Sequence, residues 1–274
     1  SACTTKASAA LPSFGLISGS NGAWHPDGPK EGLKKIAEWG YSDLEGGGVR
    51  DMPPSEYLDL LKSLGLKAVI GSCPMANIID EEKLLSTIKR AQSLEQPYLA
   101  CYWPWLAESK GDTIDGWKEV ADNLNKGAYI CKNEGITLIY HNHDMEFYPV
   151  DGQMPFDVIM SLLDPSIHIE LDLYWITKSG QSALDYIRKY PGRYPVFHLK
   201  DMPANIQCGQ GLTDFSKLTE ADFAPIGSGI VDFPAIFKLN SIAGAKHFTV
   251  ESDKPGDMAT FLELSGKYLR NLRF

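Results

Sequence analysis

Apolar runs of four to seven residues recur along this chain, each followed by an amphipathic stretch long enough for a helix. The runs at 15–18, 41–45, 67–71, 98–103, 136–140, 167–173, 196–199 and 247–250 read as strands, most of them apolar enough to be buried on both faces. Helical spacing predicts helices over 31–39, 54–64, 80–94, 114–133, 155–163, 183–189, 234–239 and 258–272. Gly40, Gly65 and Gly135 follow three of these and supply natural stops. Strands that alternate strictly with helices imply a parallel sheet. Eight such units, repeating at about 32 residues, predict a single closed (β/α)8 barrel over 13–274. Residues 1–12 are small and polar and read as a flexible tail. No GxGxxG follows the first strand, so a dinucleotide fold has little support.

The strand ends carry the chemistry. His141-Asn142-His143-Asp144-Met145-Glu146 follows strand five, Glu170-Leu171-Asp172 closes strand six, His198-Leu199-Lys200-Asp201 strand seven, and Val250-Glu251-Ser252-Asp253 strand eight. In a parallel barrel these ends meet on one rim, where active sites are built. Residues two apart share a face, which pairs His141 with His143, Glu170 with Asp172, His198 with Lys200, and Glu251 with Asp253 or Thr249. Charges pointing into a barrel are costly unless paired or bound to a cation. A divalent metal held by carboxylates and one imidazole meets that need. Such a donor set suits Mn²⁺, Zn²⁺, Co²⁺ or Fe²⁺ without choosing among them. His25, His168 and His247 read as structural, and Asp201 as a cap for the loop that follows it. The Gly227-Ser228-Gly229 turn is too short to cradle a phosphate on its own. Trp103, Trp105 and Trp175 offer flat apolar faces to a sugar ring, with core packing an equal reading.

Composition narrows the partners. A chain of 274 residues with 43% hydrophobic and 22% charged residues is ordinary for a globular protein, and no apolar run reaches the length of a membrane helix. The net charge of −9 argues against nucleic acid and favours a small neutral or cationic substrate, or an anionic one held by a metal. Five scattered cysteines show no CxxC and predict no disulfide, with Cys73 and Cys101 as small buried hydrophobes. Cys3, preceded by small residues, resembles an acylated lipoprotein cysteine, which would place the protein in the periplasm or on a lipid anchor. A tail without consequence, and a cytoplasmic protein, is the competing reading.

The phrases Tyr140-His141-Asn142-His143-Asp144-Met145-Glu146-Phe147, Leu171-Asp172-Leu173-Tyr174-Trp175, His198-Leu199-Lys200-Asp201, Ile226-Gly227-Ser228-Gly229 with Asp232-Phe233, and Val250-Glu251-Ser252-Asp253 resemble the xylose-isomerase-like sugar phosphate isomerase/epimerase family. The resemblance covers nearly everything after the first dozen residues. It implies one divalent metal held by Glu146, Asp172, His198 and Glu251, with His141 or His143 replacing Glu146 as the strand-five alternative. It implies a carbohydrate isomerase or epimerase that abstracts an α-proton and passes through a metal-stabilised enediolate. His143, Lys200, Glu146 and Glu251 are the catalytic candidates; His141, Glu45, Trp103 and Trp175 are the substrate-binding ones. A histidine base beside Glu146 also fits a β-eliminating lyase or dehydratase on a 3-keto-glycoside or inosose. A silent sugar-binding barrel is a third reading. An apurinic endonuclease fits badly, because six histidines and a net charge of −9 supply neither its zinc ligands nor its DNA face. Relatives are often homo-oligomers.

Overall fold

The computed structural model describes residues 8–17, 22, 24–106 and 111–274. Eight parallel strands close in sequence order into one barrel: β1 (Gly15–Ile17), β2 (Asp43–Glu45), β3 (Lys67–Ser72), β4 (Tyr98–Cys101), β5 (Thr137–His141), β6 (His168–Asp172), β7 (Val196–Leu199) and β8 (His247–Val250). Helices α1 (Pro29–Glu38), α2 (Pro54–Ser63), α3 (Met75–Ile78), α4 (Glu81–Ser93), α5 (Ile114–Asn133), α6 (Pro155–Leu162), α7 (Leu173–Lys178), α8 (Ala183–Lys189), α9 (Phe233–Phe237), α10 (Asn240–Ala243) and α11 (Met258–Asn271) lie between and after them. The predicted (β/α)8 barrel is the observed fold. Glycine is required at Gly15, where a Cβ would lie 1.9 Å from the Asp43 carbonyl oxygen.

Strand alternation sets the two layers. On β5, Leu138 and Tyr140 join the large apolar cluster, while Ile139 packs with Ile70, Ala100 and Val196 in a separate, smaller one. Phe197, Leu199, Phe248 and Val250 belong to the large cluster as well. Each such side chain removed from water contributes about 1.5–3 kcal/mol, so these alternate positions fix the register. The opposite positions, His141, Glu170, Asp172 and His198, therefore share the other face and are buried despite their polarity.

Several elements depart from the sequence expectation. Strand six stops at Asp172, because the Asp172 Oδ1 accepts the Trp175 N–H at 2.9 Å and caps α7. The short helices α3, α7 and α10 have too few turns to leave a periodic signal. Ala9 exchanges backbone hydrogen bonds of 2.9 and 3.0 Å with Phe274, which ties the end of the expected tail to the C-terminus. Cys3 lies outside the described residues. Cys73, Cys101, Cys131 and Cys208 are free thiols, and among the described residues no helix is long and apolar enough to cross a membrane. His247, at the start of β8, pairs with Asp43 at 2.7 Å, with Lys67 at 3.4 Å from the same carboxylate.

Candidate metal centre at the barrel mouth

Three strands deliver one imidazole or carboxylate each to a single point. Ligand atoms of His141, Asp172 and His198 all lie within 4.8 Å of one another, and every member is buried. His141 Nε2 is 3.1 Å from Asp172 Oδ2, and His198 Nδ1 is 3.6 Å from the same oxygen. Register places them there: Asp172 pairs with His198 across β6 and β7, and His141 with Glu170 across β5 and β6. Asn142 locks the arrangement, accepting the Asp172 N–H at 2.9 Å and donating to the Asp172 carbonyl at 3.4 Å. Sequence reasoning passed over this residue, although an Asn among so many ionisable neighbours was a signal.

Glu251 and Lys200 complete the wall. Glu251 Oε2 sits 3.4 Å from His198 Nε2 and 2.5 Å from Lys200 Nζ. Lys200 also reaches Asp172 at 3.3 Å and Asp253 at 2.8 Å. Burial opposes its charge, but Asp172, Glu251 and Asp253 outweigh that cost and hold the ammonium well above the usual lysine range. Asp172 shows the mirror effect: burial raises it, while Lys200, His141 and His198 prevail and keep it ionised. Burial, reinforced by His141 and Lys200, lowers His198 to about 3 against the pull of Glu45 and Asp172. His198 is therefore a neutral imidazole at physiological pH.

Glu146 is directed elsewhere. Its Oε1 accepts the Tyr140 hydroxyl and its Oε2 the His143 N–H at 2.9 Å. Tyr140 points away from the barrel axis, so this carboxyl clamps the loop after β5 and stays out of the cluster. Burial pushes it up to about 7, despite the hydrogen bonds from Tyr140 and His143. Of the expected ligands, Asp172, His198 and Glu251 converge, and at strand five the histidine alternative His141 stands where Glu146 was expected.

His143 projects above the cluster into a cage of rings. Trp103, Phe215 and Trp175 centre 5.2, 5.6 and 5.8 Å from its imidazole. Burial first, with His141 and the Lys200 ammonium nearby, lowers its pKa well below the ordinary value. Trp175 is fully buried, Trp103 is 43% exposed, and the Lys200 Nζ lies 5.4 Å from the Trp175 ring centre. Phe215 comes from the long loop after β7, which Asp144 holds by accepting the Thr213 N–H at 2.9 Å. Nothing in the loop's composition marked Phe215. Glu45, expected at the substrate, accepts the Tyr102 hydroxyl from the opposite wall. The Gly227 and Gly229 amides are spent on Asp201, whose carboxylate accepts the N–H groups of Met202, Gly227, Gly229 and Val231 at 2.8–3.1 Å, and the Ser228 N–H donates to the Pro225 carbonyl at 3.0 Å.

The donor chemistry fits a divalent cation. His141 Nδ1, both His198 nitrogens, Glu45 Oε2 and Glu170 Oε2 are buried without a hydrogen-bond partner. Buried polar atoms rarely stay unsatisfied, and the neutral His198 imidazole beside the ionised Asp172 carboxylate is what such a cation binds.

Comparison with known proteins identifies the family. Residues 33–270 match the family described as xylose isomerase-like TIM barrel, and the chain belongs to that family. It is 26% identical over 268 residues to an inosose dehydratase of Geobacillus kaustophilus, covering 88% of this chain and 86% of that protein. An inosose dehydratase of Clostridium beijerinckii is 28% identical over 127 residues, 45% of this chain. The chain spans about half the length, or less, of the Clostridium relatives it matches. A sugar phosphate isomerase/epimerase of Parabacteroides distasonis superposes with a TM-score of 0.75 at 23% identity, over 97% and 95% of the two chains. The IOLI protein, solved with a zinc atom, gives 0.66 at 14% identity, over 87% and 90%.

Proposed function

We propose that this protein is a divalent-metal-dependent lyase that dehydrates, or otherwise β-eliminates from, a cyclic keto-sugar or inosose. The observation that carries the proposal is the buried convergence of His141, Asp172 and His198, with both His198 nitrogens unpartnered and the ring neutral. His141, Asp172, His198 and Glu251 would hold the cation. When bound, it supplies Lewis-acid polarisation of the substrate carbonyl, which acidifies the neighbouring C–H.

The chain's own groups account for the rest. His143, neutral and placed above the cluster, accepts the proton from the carbon α to the carbonyl. The Lys200 ammonium stabilises the negative charge that develops on the substrate oxygen. Trp103 and Phe215 pack on the ring and shed water from the reacting face, with the buried Trp175 behind them. As the α C–H bond breaks, the carbon–carbon double bond forms and the β C–O bond breaks. The leaving hydroxide takes up the proton and departs as water. The reading draws support from the inosose dehydratases among the relatives and from the histidine at strand five. A retained proton returned to the adjacent carbon, or to the other face, gives isomerisation or epimerisation instead.

NMR in deuterated water with inososes, 3-keto-glycosides and ketoses tests this directly. The metal-loaded protein is expected to give an unsaturated product from at least one keto-sugar. Rearranged sugar without elimination returns the activity to the isomerase/epimerase class. No deuterium incorporation and no turnover anywhere in the panel refutes the enzymatic reading. His143→Ala is expected to keep its metal while losing α-proton exchange, and full exchange removes His143 as the base.

A further inference from the structure

We propose a second cation position one layer deeper in the barrel, held by Glu45 and Glu170 beneath His198. This rests on the metal reading above but adds two carboxylates that the upper site does not use; the single lone pair of the neutral His198 ring stays with the upper cation. Glu45 closes β2 and Glu170 stands two residues before Asp172 on β6, on the same face and therefore lower in the barrel. Ligand atoms of Glu45, Glu170 and His198 lie within 4.8 Å of one another, and all three residues are buried. Each carboxylate keeps one committed oxygen and one free. Glu45 Oε1 accepts the Tyr102 hydroxyl, and Glu170 Oε1 lies 3.4 Å from Thr249 Oγ1. Glu45 Oε2 and Glu170 Oε2 receive no N–H or O–H from any other residue, and the two carboxyls lie close enough to each other to share a proton. His198 Nδ1 is 3.9 Å from Glu170 Oε1. Thr249 and Tyr102 thus orient two carboxylates toward a shared space and leave the inner oxygens unsatisfied.

Charge balance points the same way. Asp172, Glu251 and Asp253 contact one ammonium, Lys200, with Glu45 and Glu170 grouped beside His198, and among the described residues no second ammonium pairs with these five carboxylates. One divalent cation offsets half of that formal excess, and the half that remains lies with the deep pair. Unbalanced charge in a buried setting is strongly disfavoured. A second divalent cation at Glu45 and Glu170 removes the imbalance, with hard oxygen donors suited to Mn²⁺ or Mg²⁺. A proton shared between the two carboxyls is the alternative way to quiet the pair.

Metal-stripped protein titrated with Mn²⁺ alone distinguishes the two. The parent protein is expected to retain two equivalents by elemental analysis after desalting. Its electron paramagnetic resonance spectrum should show the broadening of two neighbouring Mn²⁺ ions. Glu45→Gln, which keeps an acceptor for Tyr102, should retain one equivalent with the spectrum of an isolated ion. Glu170→Gln should do the same and serves if the first variant folds poorly by circular dichroism. A single equivalent in the parent protein overturns the second position while leaving the upper site standing. Two equivalents in both variants also overturn it, because the deep carboxylates would then not be ligands. No retained Mn²⁺ in the parent protein overturns both.

Discussion

At the scale of single residues, the site is decided by which oxygen or nitrogen is already spoken for. Glu146 and His141 sit five residues apart on the same segment, yet only His141 reaches the cluster. Both Glu146 oxygens are taken by Tyr140 and the His143 amide. Glu146→Ala should leave metal content unchanged and destabilise the fold by about 1–3 kcal/mol, since it strands two buried donors. Elemental analysis and urea unfolding read the two effects separately, and lost metal would restore Glu146 as a ligand. His198→Ala should have the reverse signature: metal lost, circular dichroism preserved. The sequence made Asp172, His198 and Glu251 legible because the period of two places them on one face. It could not separate Glu146 from His141, because a loop residue's direction depends on partners such as Tyr140 that only the fold brings near.

At the scale of elements, loops fasten the strand ends. Asp201 gathers four backbone N–H groups, and at Gly229 a Cβ would stand 2.3 Å from the Asp201 Oδ1. The GxG turn is therefore shaped around an internal carboxylate and has no amides left for a phosphate. Asp201→Ala should free the Gly227 and Gly229 amides and raise their hydrogen-exchange rates at least about tenfold, equivalent to about 1.4 kcal/mol of local stability. Unchanged exchange would show that the turn holds itself. The strands and long helices were legible from periodicity. Helix α7 was not, because its start is set by the Asp172 side chain acting as cap, in a run that reads as continuous strand. Phe215 was hidden for a related reason: a loop carries no period, so its inward residue has no pattern to betray it.

At the scale of the whole molecule, the barrel carries ionic clusters at both ends with different pH behaviour. At the β-strand starts, burial raises Asp43, but His247, Lys67 and Ser42 prevail and hold it below its ordinary value. A depressed carboxylate contributes stability above its unfolded pKa, near 3.9, and loses it as pH falls through the lower folded value. Glu146 works the other way. With its pKa up at about 7, its ionisation costs stability as pH rises from its unfolded value near 4.3 through 7. Metal-free protein should therefore lose the Asp43 contribution to stability below about pH 4, with Asp43→Asn flattening that limb. Urea midpoints between pH 2.5 and 5 check it, and identical acid limbs for the two proteins would remove Asp43 from the account.

The central claim is that His141 and His198 grip one cation together at the barrel mouth. X-ray absorption at the zinc edge, on protein loaded with one equivalent of Zn²⁺, tests it most directly. The account predicts scattering from two imidazoles, falling to one in His141→Ala. A coordination shell of oxygens alone, or zinc that washes out on desalting, would contradict it.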